Sequence, residues 1–252
     1  MNGLVSGCLR IASATAVTAA LTLLVCAGCG GPKPATSKLP ATNAPPPQSE
    51  ARPALPPPVP TNAPPQKKVA ASTPVELFQA GLKLWDGKGV AKDPAEAVKF
   101  FSAAAARGNV DAQAYLAGAY RTGVGVGKNP DETVRWFRAA AEQGDARSQG
   151  VLASLYGTGE GVPKDLPEAA KWYQMAAEQG LVRAQANLGA MYFLGQGVPK
   201  DPVAAYKWLH LAAQKGDPDA KKNRGLVAYK LSAAQMAEGR KRAAEFVPAK
   251  SR

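Results

Sequence analysis

A chain of 252 residues is long enough for one or two domains, and it carries a formal charge of +12 with three cysteines and a single histidine. No cysteine follows Cys29, which excludes an internal disulfide or a cysteine-rich metal site beyond that point, and one histidine cannot assemble a His-based metal or nucleophile pair. The charge is concentrated: residues 76–219 hold 16 basic and 16 acidic side chains, and residues 220–252 hold nine basic and two acidic ones. A nucleic-acid binder spreads basic charge over its folded surface, so this distribution argues against a nucleic-acid partner.

The first 28 residues read as an export signal, with Arg10 ahead of an apolar run from Ile11 to Val25 and then "CAGC". The run is short for a membrane span. Ala27-Gly28 before Cys29 resembles a bacterial lipoprotein cleavage box, although Cys26 stands where such boxes usually carry Leu. The resemblance implies cleavage before Cys29, lipidation of its thiol and a membrane anchor; a plain secretory signal, giving a secreted or periplasmic protein, is the alternative. In lipoproteins of this kind the residue after the lipidated cysteine steers sorting, and Gly30 in place of Asp points to the outer membrane, facing the periplasm.

Residues 29–75 follow as a Pro-rich tether: 14 of the 22 prolines fall between 30 and 75, in runs such as "APPPQ" and "ALPPPVP". Such a segment cannot bury enough apolar surface to offset chain entropy. At about 3.1 Å per residue in polyproline II it reaches at most roughly 140 Å.

From residue 76 the chain repeats with a period of 36 in four units, 76–111, 112–147, 148–183 and 184–219. Each unit predicts two helices. The first carries its apolar face at Leu116, Ala117 and Tyr120, and at the equivalent Leu152, Ala153 and Tyr156, and Leu188, Gly189 and Tyr192. A small residue at the middle position admits a close partner helix. A Gly-x-Gly-Val loop then reverses the chain, with the valine expected to plug the gap between turn and stack. Asp93, Asn129, Asp165 and Asp201 cap the second helix, Pro94, Pro130 and Pro202 start it, and Glu96, Glu132 and Glu168 are placed for capping boxes. It ends at Gly108, Gly144, Gly180 and Gly216. The period, with "LG..Y" in one helix and "KD...A..W....A...G" in the other, resembles the Sel-one-like repeat family, a relative of tetratricopeptide repeats. The resemblance implies an all-α superhelix, a solenoid of stacked helix pairs, used to bind proteins or peptides without catalysis or cofactor. Residues 220–252 are expected to close the stack as a helical cap with a basic tail, Ser232 and Gln235 forming a capping box.

Candidate chemistry is sparse. "GVGVGKN" at 123–129 is a turn rather than a phosphate loop, because it follows a helix and lacks the Ser/Thr. His210 occupies a polar register and is expected in solvent. The aromatic register Phe100, Trp136, Trp172 and Trp208 recurs, which argues for packing between repeats. Residues that touch a ligand are free to differ from unit to unit, and one strip of the first helices does differ: Asp111, Tyr115, Gly118 and Thr122, then Arg147, Val151, Ser154 and Thr158, then Arg183, Asn187, Ala190 and Leu194, bordered by Arg121 and Phe193. In the resembling families the first helices line a concave groove, which implies that this strip is the binding face. Attachment to peptidoglycan or another anionic envelope polymer through the basic cap is the alternative. A cysteine-rich branch of the family is linked to β-lactam hydrolysis, but its repeats are stapled by disulfides that this chain cannot form.

Overall fold

The computed structural model describes residues 72–249; the expected signal, Cys29 and nearly all of the Pro-rich tether lie outside the described residues. Ten α-helices and no strand are found among the described residues. They are α1 (Pro74–Asp86), α2 (Pro94–Ala105), α3 (Val110–Thr122), α4 (Pro130–Glu142), α5 (Ala146–Thr158), α6 (Leu166–Glu178), α7 (Val182–Leu194), α8 (Pro202–Gln214), α9 (Pro218–Ala228) and α10 (Ala233–Ala244). Each helix from α1 to α8 packs on its chain neighbours, so α1/α2, α3/α4, α5/α6 and α7/α8 stack as hairpins into an all-α solenoid.

Two sets of caps hold the helices in step. At the second helices Asp93, Asn129 and Asp165 accept from the backbone amides of Glu96, Glu132 and Glu168 at 2.9–3.1 Å, and Asp201 accepts from Ala204 at 3.0 Å. The expected reciprocal capping boxes are absent there. Each cap residue's own N–H already donates across the hairpin, to the carbonyls of Leu84, Tyr120, Tyr156 and Tyr192 at 2.9–3.0 Å. The glutamates pair instead with Lys99, Arg135 and Lys171, three residues on. The first helices have caps of their own, which start each helix ahead of the repeat boundary expected from sequence. Asn109, Asp145 and Asp217 each accept from the amide three residues later at 2.7 Å, and Thr73 and Glu76 form a full capping box on α1. Leu181 breaks the set and gives α7 no side-chain cap.

The core is built from alanines and from fully buried leucines, of which Leu116, Leu152 and Leu188 recur at one register. Burying such a leucine stabilises by about 1.5–3 kcal/mol. The small middle position matters where the helices touch: a Cβ on Gly189 would stand 2.7 Å from Leu209 Cγ and 3.1 Å from the Ala205 oxygen. In the loops Val126, Val162 and Val198 are half-buried, whereas Val90 is 45% exposed. Val90 belongs to the first repeat and has no earlier repeat to pack against.

Both ends of the stack are polar. Where internal repeats bury Ala112, Ser148 and Ala184, the first repeat has exposed Glu76; where they bury Ala119, Leu155 and Met191, it has exposed Lys83. At the other end α9 and α10 pack on α8, the Ser232–Gln235 capping box forms, and Gly239 lies against the Tyr206 ring. The chain then turns back: Phe246 meets Trp208 edge-on at 5.3 Å between centroids, and the Ala249 amide donates to the Glu178 carbonyl at 2.8 Å.

Candidate binding face

Stacking places the varying strip along one side of α3, α5 and α7, with its ends open and its middle occupied. Asp111, Thr122, Arg147, Thr158 and Arg183 are exposed, and Arg121, Phe193 and Leu194 are half-buried. Tyr115 is a packing residue, its ring 5.4 Å from Phe78 and 5.3 Å from Phe101. Asn187 and Ser154 reach the hydroxyl of Tyr173 on α6, whose ionisation is pushed up by burial despite those hydrogen bonds and the nearby Arg183. Ala190 is buried, and Val151 is half-buried between these polar groups and the aromatic cluster in repeat order. The hydroxyls of Thr122 and Thr158 donate to the Gly118 and Ser154 carbonyls at 2.9 and 3.0 Å, so they are turned back onto their own helices.

Charge separates this side from the other. On the second helices the bases are engaged: Lys99, Arg135 and Lys171 in ion pairs, Arg138 with the Tyr156 hydroxyl, and Lys207 over the Trp208 ring at 4.2 Å. On the first-helix side Arg121, Arg147, Arg183 and Lys222 have no carboxylate within ion-pair distance among the described residues. Lys230 and Lys200 sit over the Phe193 ring at 5.8 and 5.9 Å. Leu226, one turn before Lys230, is 42% exposed.

An open cleft of about 490 Å³ runs along the edge where the first helices begin, lined by Asp111, Asp145, Arg147, Gln179 and Leu181 among others. Gln143 and Gln179 line it, and they connect to a set of buried glutamines not evident from the sequence motifs. Gln113, Gln149 and Gln185 are 0–5% exposed, and each donates Nε2 to the last turn of the preceding second helix, at Ala105, Ala141 and Ala177, over 3.1–3.2 Å. Gln143 and Gln179 in turn donate to the Oε1 atoms of Gln113 and Gln149 at 2.7 and 2.8 Å. From one unit to the next a side chain also reaches back 35 residues to a carbonyl: Arg107 to Ser72, Gln179 to Gly144 and Lys215 to Gly180. The available signal was recurrence of Gln at one register in three units.

Other sequence candidates fall into structural roles. Trp136, Trp172 and Trp208 are only 5–7% exposed. His210 is not in open solvent as expected. It stacks on Tyr206 at 5.8 Å, and Arg224 of α9 donates to its Nδ1 at 3.2 Å. Burial, then Arg224 and Arg240, hold the imidazole below its usual range. Register misled here because α9 belongs to the cap and not to a repeat. No cluster of three or more His, Cys, Asp or Glu side chains suited to a metal occurs among the described residues, and none of their helices is long and apolar enough to cross a membrane.

The repeat family model for the Sel1 repeat matches four consecutive stretches, residues 77–109, 110–145, 146–181 and 182–217. The chain belongs to the Sel1 repeat family. Among solved structures it is similar to a Sel1 repeat protein from Oxalobacter formigenes, with 32% identity and a TM-score of 0.61 over 73% of this chain and 76% of that one. It is also similar to a protective antigen present in uropathogenic Escherichia coli strains that displays an SLR fold, with 29% identity and a TM-score of 0.50 over 74% of this chain and 48% of that one. No curated protein sequence matches it. Sel1 repeats are typically non-catalytic scaffolds for protein–protein interaction, and the hairpin stack described here has their architecture.

Proposed function

We propose that this protein is a lipid-anchored scaffold of the bacterial cell envelope that binds a protein or peptide on its first-helix face, with the Pro-rich segment as spacer. The observation carrying the binding reading is the contrast in charge satisfaction. The second helices engage their bases within the stack, while Arg121, Arg147 and Arg183 on the first helices stand without carboxylates. Exposed charge that the fold itself does not use is available to a partner. The test is site-specific photocrosslinking in cells, with the photoreactive residue at Thr158 or Arg183 and, for comparison, at Lys171 on α6. Partner adducts from the first two positions and not from Lys171 support the reading; adducts from Lys171 alone would overturn it. The anchor is supported by "CAGC" ending at Cys29. Cys29→Ser should move the protein out of the membrane fraction, and unchanged fractionation counts against lipidation.

A second reading is supported by the cap. Lys221, Lys222 and Arg240 on α9 and α10 lack ion pairs among the described residues, which suits an anionic envelope polymer such as peptidoglycan. Co-sedimentation with cell-wall sacculi that disappears at high salt favours it, and absent or salt-insensitive binding removes it.

A further inference from the structure

The first-helix face is not uniform along the stack, and its polarity points to the chemistry of the partner. The reading rests on that face being the binding surface. The only charged residue on α5 is Arg147 and the only one on α7 is Arg183, and they occupy the same register one repeat apart. The same register holds Val75 and Asp111 toward the first repeat and exposed Asp219 on α9, so the two arginines form a cationic step between acidic positions. Between the two arginines the floor becomes polar. Tyr173 replaces the Phe101 and Phe137 of earlier repeats, and its hydroxyl is met by Ser154 from α5 and Asn187 from α7. Phe101 at that register packs among Phe78, Trp85 and Tyr115, so packing alone is met by a phenyl ring. At the opposite end of α7 from Arg183 the face is apolar with a cationic rim: Phe193 under Lys200 and Lys230, and exposed Leu226.

We infer that the half of the face from α5 to α9 holds an extended acidic peptide segment of a partner protein, its carboxylates on Arg147 and Arg183 and a large apolar side chain against Phe193 and Leu226. Spacing sharpens the inference. Arg183 and Phe193 stand at opposite ends of α7, about 15 Å apart at 1.5 Å per residue, and an extended chain advances about 3.3 Å per residue. About five extended residues therefore separate a carboxylate on Arg183 from an apolar side chain against Phe193.

The test is selection of phage-displayed random 12-residue peptides on the immobilised full-length protein, with fluorescein-labelled copies of the winners titrated against variants. Enrichment of Asp or Glu with Phe, Leu or Trp about five residues away is the expected result. Arg147→Glu with Arg183→Glu should weaken those peptides at least tenfold, while Arg240→Glu with Lys241→Glu on α10 should change them less than twofold. Both arginines are exposed, and an unchanged circular-dichroism spectrum will show that the first pair still folds. Neutral or basic winners that depend on Arg183 would overturn the acidic-segment inference and leave the binding face standing. Winners indifferent to Arg147 and Arg183, with no crosslinks from Thr158 or Arg183, would overturn both. Co-sedimentation with sacculi that is lost in the Arg147/Arg183 pair, with no peptide enrichment, would make the face a polymer site and overturn the inference as well.

Discussion

Gly197, in the loop of the fourth repeat, lies directly over the backbone of Leu166, where the second helix of the third repeat begins. A Cβ on Gly197 would stand 2.2 Å from the Leu166 oxygen, and its φ is +71°. The loop glycine is therefore an inter-repeat contact as well as a turn residue. Gly125 has the same relation to Pro94, at 2.3 Å.

Gly197→Ala should cost both conformational strain, about 1–2 kcal/mol, and an overpacking penalty of about 1–3 kcal/mol. Gly89→Ala provides the control: its φ is +74° but nothing lies within 4 Å, so only the first cost applies. Urea denaturation midpoints of the two variants should separate clearly. Equal midpoints would show that the loop does not bear on the preceding repeat.

The buried glutamines support the stack through hydrogen bonds. Gln149→Leu keeps most of the volume but removes two buried hydrogen bonds, at about 0.5–1.5 kcal/mol each; the Ala141 carbonyl keeps the Gly144 amide and the Gln179 amide keeps the Gly144 carbonyl. In a double-mutant cycle with Gln179→Ala the two losses should be less than additive, because they share one bond. Additive losses in the same denaturation assay would count against the ladder.

His210 makes folding sensitive to mild acid. Its pKa is depressed in the fold and ordinary, about 6.5, in the unfolded chain. The unfolded state therefore takes up the proton more readily. The contribution of the neutral ring is complete above pH 6.5 and is lost as pH falls toward the folded value. The wild type should lose more thermal stability between pH 7.5 and 5.5 than His210→Gln, and parallel melting curves would contradict this. Burial is the larger cause of the depression and the Arg224 charge the next, so Arg224→Gln should reduce the pH effect without abolishing it.

Phe246 completes the surface of the last second helix. Removing its half-buried ring in Phe246→Ala should destabilise the cap by about 1–3 kcal/mol, less than a fully buried Phe→Ala. Trp208, 5% exposed, should become accessible to acrylamide, and unchanged tryptophan quenching would mean that the returning segment does not cover it.

Elements whose cause is local were readable from sequence. The Asp-Pro starts, the glycine turns and the small middle position of the first helix all stand where the 36-residue register puts them. What escaped was non-local. The Asp165 amide is taken by the Tyr156 carbonyl across the hairpin, which leaves Glu168 free to pair with Lys171, and no pattern within one helix reports that. The binding strip was harder to read. Variation between units suggests freedom, yet Tyr115 varies because it meets Phe101, and Asn187 because it meets the Tyr173 hydroxyl. Positions can differ from repeat to repeat because their packing partners differ with them. Arg147 and Arg183, exposed and without ion pairs, are those for which the stack offers no such partner.

The hydrogen bonds that step 35 residues backward, from Gln179 to Gly144 and from Lys215 to Gly180, give the last two junctions of the stack one pattern. A gene duplication that inserts one more hairpin between α6 and α7 would reuse that junction and leave Glu76 and α10 as the outer surfaces. The protein can thus grow longer by whole modules without exposing a raw edge, and its reach becomes a heritable variable independent of its solubility.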